Sequence, residues 1–144
     1  MKNKIALLLL LVASIGYSQN WQTDFNQATA EANAQNKPIV LIFSGSDWCA
    51  PCIKLDKNIW QSETFKEYAA KNYILERADF PKKKQNELTA ELKKHNQELA
   101  EKYNQEGIFP LVVVLDSKGK ILGKTTYKYV SPNEYIEILN SFLK

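Results

Sequence analysis

The apolar run Pro38-Ile39-Val40-Leu41-Ile42-Phe43 stops at Ser44-Gly45-Ser46-Asp47 and is followed at once by Trp48-Cys49-Ala50-Pro51-Cys52. This succession constrains the chain more than any other part of it. A short, continuous apolar run of this kind reads as a buried strand. Gly and Asp in the next four residues read as the turn that ends it. The stretch from Pro51 to Ile59 reads as the start of a helix, where Pro is tolerated because the first-turn N–H groups have no partner anyway.

The same succession sets two thiols at a helix N-terminus. Cys49 and Cys52 are the only cysteines of the chain. At this spacing a disulfide opens and closes with little backbone movement. Unpaired N–H groups and the helix dipole favour the thiolate, and such motifs lower a thiol pKa from about 8.5 towards 7 or below. The thiolate attacks disulfides, so the pattern points to thiol–disulfide exchange. Cys49 is the expected attacking sulfur, reachable by solvent, and Cys52 the shielded resolving sulfur. Two other readings compete. A closed zinc site needs about four ligands, and two Cys with one His would have to recruit carboxylates or a second chain. A purely structural disulfide over so short a loop would constrain the unfolded chain little. The exchange reading calls for no metal or organic cofactor, because the Cys49–Cys52 pair is itself the redox group.

Residues 1–18 read as a signal peptide. Lys2 and Lys4 form a positive start, Ile5 to Ala13 is almost wholly apolar, and Gly16 and Ser18 are small residues where a peptidase reads. The expected cut follows Ser18, and the expected destination is the periplasm or the cell exterior. The apolar stretch is shorter than the roughly 20 residues a membrane span needs, so no span is expected in the mature chain, with an uncleaved anchor as the alternative. Residues 19–144 are one domain's worth of chain. Without Lys2 and Lys4 the 19 basic residues become 17 against 16 acids, a net charge of +1. That balance gives no reason to expect nucleic acid or an acidic partner, and a monomer is expected.

Trp21 to Asn36 reads as a helix with Phe25, Ala28 and Ala32 on one side and Asp24 as a possible cap. A break near Gln61-Ser62 leads to a second helical stretch through Ala70, and Tyr73 to Asp79 reads as a strand. The tract Pro81-Lys82-Lys83-Lys84 reads as a solvated loop, with a docking patch as the alternative. A helix from about Asn86 to Tyr103 follows, with Leu88, Leu92, Leu99 and Tyr103 on one face. His95, the only histidine, reads as a surface residue of that helix rather than a proton shuttle. Leu111 to Leu115 is a second buried strand. Ile121 to Tyr129 reads as an antiparallel neighbour. Ser131-Pro132-Asn133-Glu134 is a capping box with Pro at the first helical position, and it opens a last helix. These elements describe an α/β domain, a central mixed sheet with helices on both faces.

With Trp48-Cys49-x-Pro51-Cys52 after the first core strand, and Phe109-Pro110 directly before the third, the chain resembles the thioredoxin superfamily over nearly all of residues 19–144. Trp21…Ala28…Ala32…Lys37-Pro38, Lys54-Leu55 and Asp79 add a likeness to its small envelope members, such as the C-terminal domain of the thiol-disulfide interchange protein D. The resemblance implies a thioredoxin fold and a cis proline at Pro110 beside the cysteine pair. Trp48, Ala50, Pro51, Phe109 and Pro110 would line a shallow apolar site. It also implies protein disulfides as substrates and a reductive direction, which in an oxidising envelope requires an upstream electron-donor protein. Three departures stand out. Phe43 occupies the position, six before Cys49, where thioredoxins usually bury an acid. The dipeptide between the cysteines is Ala50-Pro51 rather than Gly-Pro. Ile108 stands where Gly is frequent. A binding or chaperone-like module with an idle dithiol is the alternative function.

Overall fold

The computed structural model describes residues 19–144. The signal peptide expected over residues 1–18 lies outside the described residues. The strands are β1 (Trp21–Gln22), β2 (Ile39–Ser44), β3 (Ile74–Asp79), β4 (Leu111–Leu115) and β5 (Ile121–Thr125), and the helices are α1 (Phe25–Gln35), α2 (Ala50–Leu55), α3 (Glu63–Asn72), α4 (Ala90–Tyr103) and α5 (Pro132–Ser141). The sheet order is β1-β3-β2-β4-β5. β3 runs parallel to β1 and β2, while β4 runs antiparallel to β2 and β5. This is a thioredoxin fold.

Every residue of β2 and β4 is buried, which is why both read as unbroken apolar runs. Side chains alternate across a sheet, so each strand feeds two cores. On one face Val40, Ile42, Leu75, Val112 and Val114 meet Leu55, Ile59, Trp60, Phe65, Tyr135 and Leu139. On the other, Leu41, Phe43, Val113 and Leu115 meet Ala28 and Ala32 of α1 and Leu99 and Tyr103 of α4. The small Ala28 and Ala32 let α1 lie close to the sheet. Trp60 centres the first core, with its ring 4.6 Å from Phe65 and 5.5 Å from both Tyr135 and Trp21.

Several boundaries differ from expectation, each for a local reason. Trp21 and Gln22 are strand, not helix, because the Asp24 carboxylate accepts the N–H groups of Asn26 and Gln27 and so starts α1 after itself. The helix after the cysteines widens into a π turn over Asp56–Trp60, which carries Ile59 and Trp60 into the core. α4 begins at Ala90 rather than Asn86, since Thr89 caps it through the Leu92 N–H, and Leu88 therefore lies outside the helix. β5 ends at Thr125, not Tyr129. Just beyond it the Thr126 hydroxyl donates to the Pro110 carbonyl (2.7 Å) and the Tyr135 hydroxyl donates to the Thr126 carbonyl (2.9 Å). The Ser131–Glu134 capping box is present as read. No helix among the described residues is long and apolar enough to cross a membrane.

Candidate active site

β2 delivers the chain to the turn, and the turn delivers the cysteines to α2. Cys49 and Cys52 are joined in a disulfide, with Cα atoms 5.2 Å apart. Cys49 is the N-cap of α2, and Pro51 sits in its first turn. The Cys49 sulfur accepts the Cys52 N–H (3.4 Å), and the Cys52 sulfur accepts the Gly45 N–H (3.5 Å). Both cysteines are nearly covered in this bonded state, at 5% and 3% exposure. The expected contrast of an open Cys49 and a hidden Cys52 is thus not a feature of the oxidised chain. The two sulfurs differ instead in which backbone donor each faces.

Of the rim residues named from the motif, Trp48 and Phe109 are in contact, and Pro110 follows Phe109 in the chain. Trp48 is 39% exposed, and its ring meets Phe109 edge to face at 5.6 Å. Gly45 is required beneath it, because a Cβ there would stand inside the indole. Pro110 is buried and Phe109 half-buried, and the bond between them is cis. Ala50 and Pro51 are exposed beside the disulfide. Ile53 is exposed at 47% and extends the apolar surface along α2.

Three residues that support the site escaped the sequence reading, and a fourth, Asp79, entered it only as part of a likeness. Phe80 accepts the Trp48 indole N–H on its carbonyl (2.7 Å) and stacks edge to face on Phe109 at 5.4 Å. Asp79 accepts the Ser46 N–H (3.0 Å), the Ser46 hydroxyl (2.5 Å) and the Phe80 N–H (3.0 Å), tying the end of β3 to the active-site turn. Asn104 exchanges two hydrogen bonds of 2.9 Å with the Ile108 backbone, and Thr126 holds the Pro110 carbonyl. The segment carrying Phe109 and Pro110 is therefore pinned from both sides. Asn104, at the end of α4 and ahead of Gly107, carried a turn signal; nothing in the local pattern marks Thr126.

Asp47, in the turn before Trp48, is tied to the segment after β3. Its carboxylate accepts the N–H groups of Lys82 and Lys83 and the Asn86 amide, each at 2.9 Å. Those donors hold its pKa below the ordinary carboxylate value.

Phe43 is fully buried in the core beneath α1 and α4. The buried acid of this chain lies elsewhere, at Glu76 on β3, paired in register with Leu41. Neither Glu76 oxygen has a hydrogen-bond partner. Burial, and then the nearby Asp24 carboxylate, raise its pKa to about 8. His95 is not a plain surface residue. Its Nε2 accepts the Phe25 N–H at 3.1 Å and stands 3.8 Å from Glu76 Oε1, while Nδ1 lies 2.9 Å from Asn96 Oδ1. It faces α1 and Glu76, not the cysteines. Among the described residues no cluster of three or more His, Cys, Asp or Glu is placed to hold a metal ion.

The arrangement is a Cys49–Cys52 disulfide beside an aromatic rim, carried on a chain similar to several known proteins. A structure of a DsbH oxidoreductase superposes with a TM-score of 0.79 at 30% identity, covering 99% of this chain and 94% of that one. The chain is 36% identical over 124 residues to disulfide bond reductase DsbH of Chlamydia pneumoniae, spanning 86% of this chain and 72% of that protein. The reduced C-terminal domain of DsbD from Neisseria meningitidis shares the fold, with a TM-score of 0.55, 24% identity and coverage of 81% and 92%. The sequence profile of the Thioredoxin-like family matches residues 20–117, and the chain belongs to that family.

Proposed function

We propose that this protein is a thiol–disulfide oxidoreductase of the cell envelope that reduces protein disulfides. The observation that carries the reading is the Cys49–Cys52 disulfide at the start of α2, flanked by the exposed indole of Trp48. In the reduced state the Cys49 thiolate attacks a substrate disulfide. A Cys49–substrate bond forms, the substrate S–S bond breaks, and the departing thiolate takes up a proton. The Cys52 thiolate then attacks the Cys49 sulfur. The intramolecular disulfide forms and the second substrate thiolate leaves and is protonated. Two electrons and two protons pass to the substrate. Trp48, Ala50, Pro51, Phe109 and Pro110 form the surface on which the substrate segment rests.

Regeneration needs a two-electron donor, which this reading assigns to another protein's dithiol. An envelope address agrees with the apolar N-terminal segment ending at Ser18, and the reductive direction agrees with the name of the relative, disulfide bond reductase DsbH.

Insulin reduction tests the activity. The protein should accelerate insulin precipitation in the presence of dithiothreitol, and Cys49→Ala should fall to background; equal rates would remove the dithiol from the reaction. The potential tests the direction. A value near the roughly −270 mV of thioredoxin-type reductants is expected. A value near the roughly −120 mV of strong oxidants would reverse the assigned direction.

A further inference from the structure

The lysine tract after β3 is attached to the active-site turn. Asp47, two residues before Cys49, is fully engaged by the backbone of Lys82 and Lys83 and by the Asn86 amide. The Phe80 carbonyl holds the Trp48 indole, and the Lys82 ammonium lies 3.8 Å from the centre of the Trp48 ring. These bonds fix a segment whose side chains Lys82, Lys83 and Lys84 are all exposed. None of the three makes an ion pair among the described residues. The Asp47 carboxylate accepts the backbone N–H groups of Lys82 and Lys83, and its charge acts on Lys83. The segment bonded to the active-site turn thus presents three exposed ammonium groups whose charge Asp47 offsets in part.

A largely apolar cleft of about 360 Å³ continues from the same segment, lined by Asp79, Phe80, Pro81 and Leu88 together with Asn96 and Gln97 of α4; the Asp79 carboxylate is occupied by Ser46 and the Phe80 N–H. Phe80 belongs to both places, since its ring also stacks on Phe109. The late start of α4 is what leaves Leu88 free to line this cleft. Lys93 at its edge is paired with Glu87.

We propose that residues 80–88 form a docking subsite for an acidic segment of the substrate protein that flanks its disulfide and carries one large apolar side chain. The ammonium groups of Lys82, Lys83 and Lys84 attract the carboxylates, and the cleft receives the apolar side chain. This rests on the reading of the protein as a disulfide oxidoreductase and adds to it a class of substrate. Like charges on a substrate would be repelled from the same surface, so selectivity acts on encounter as well as on the bound state.

The test uses three disulfide-bridged peptides of equal length, each with one Leu near the bridge, flanked by Glu, by Gln or by Lys. Their reduction is followed at about 10 mM and about 150 mM salt, across which the screening length shrinks from about 30 to about 8 Å. Fluorescent versions with Ser in place of Cys report binding by anisotropy without any redox step. At low salt the Glu peptide should be reduced about tenfold faster than the Lys peptide. That ratio should shrink at the higher salt and fall below about twofold in Lys83→Gln/Lys84→Gln. The Glu analogue alone should bind measurably, and more weakly when its Leu is replaced by Ser. Equal reduction of the Glu and Lys peptides, or an undiminished ratio in the double variant, overturns the proposal. Failure of all three peptides to be reduced, with the Glu analogue still binding selectively, would overturn the oxidoreductase reading and leave the docking subsite standing. No selective binding and no reduction would remove both.

Discussion

Cys52→Ser should accumulate mixed disulfides with substrate proteins, and Cys49→Ser should accumulate almost none. The first variant keeps the attacking thiolate but lacks the sulfur that displaces the substrate, so the covalent intermediate has no internal exit. The second retains only Cys52, which lies inside α2, while Cys49 caps its N-terminus. Non-reducing gels after affinity capture read the adducts directly, and reduction with dithiothreitol should collapse them. A difference of at least about tenfold is expected, since only one variant can begin the exchange. Equal adduct levels from the two variants would mean that either sulfur attacks first, and the role assignment would fall. The adducts also identify substrates, whose flanking sequences bear on the lysine segment.

The second large effect concerns Glu76 and stability. Its carboxyl is fully buried, has no hydrogen-bond partner, and titrates at about 8 instead of 4.5. The folded state therefore holds a proton that the unfolded chain gives up at a much lower pH. The stability this lends is fully present below about pH 4.5 and is lost as pH rises towards about 8, because over that window the native state binds more protons than the unfolded one. The loss should amount to a few kcal/mol, a large share of a typical domain stability of about 5–15 kcal/mol. Urea unfolding followed by far-ultraviolet circular dichroism should show a lower midpoint at about pH 9 than at about pH 5. In Glu76→Gln the side chain keeps its size and cannot ionise, so this part of the decline should vanish whatever the absolute stability of the variant. An unchanged decline would place the titrating group elsewhere. The groups facing Glu76 are Asp24 at the start of α1 and His95 of α4, and a Glu76→Gln/His95→Gln pair separates the two residues' contributions.

The sheet and the dithiol were legible because their signals are local. Residues 39–43 and 111–115 are buried on both faces, and a strand of that kind announces itself as an apolar run. Cys49 and Cys52 announce themselves by spacing, and Ser131 with Glu134 by a reciprocal cap. What stayed hidden depends on residues distant in sequence. Trp21 and Gln22 have no strand pattern of their own; they become strand by pairing with Leu75 and Glu76 of β3. Asp47 carried only a turn signal, and its three donors come from residues 82, 83 and 86. Glu76 sits in a segment of mixed polarity, Glu76-Arg77-Ala78-Asp79, and only the position of α1 shows which of its charges is enclosed. Phe43 marked the absence of an acid at one place, and no pattern could move the reader from there to a carboxyl one strand over.

The division of side chains between the two faces of the sheet has an optical consequence. Trp21 and Trp60 both belong to the core under α3 and α5, and Trp48 belongs to the dithiol rim. The half built from α1 and α4 contains Phe25, Phe43 and Tyr103 but no tryptophan. Indole emission from this protein therefore reports directly on one half and on the redox centre, and on the half that encloses Glu76 only through Trp48, whose neighbours Phe80 and Phe109 pack on that core. A partial opening of α1 or α4 should therefore move the Trp48 component of the emission and leave that of Trp60, buried in the opposite core, in place.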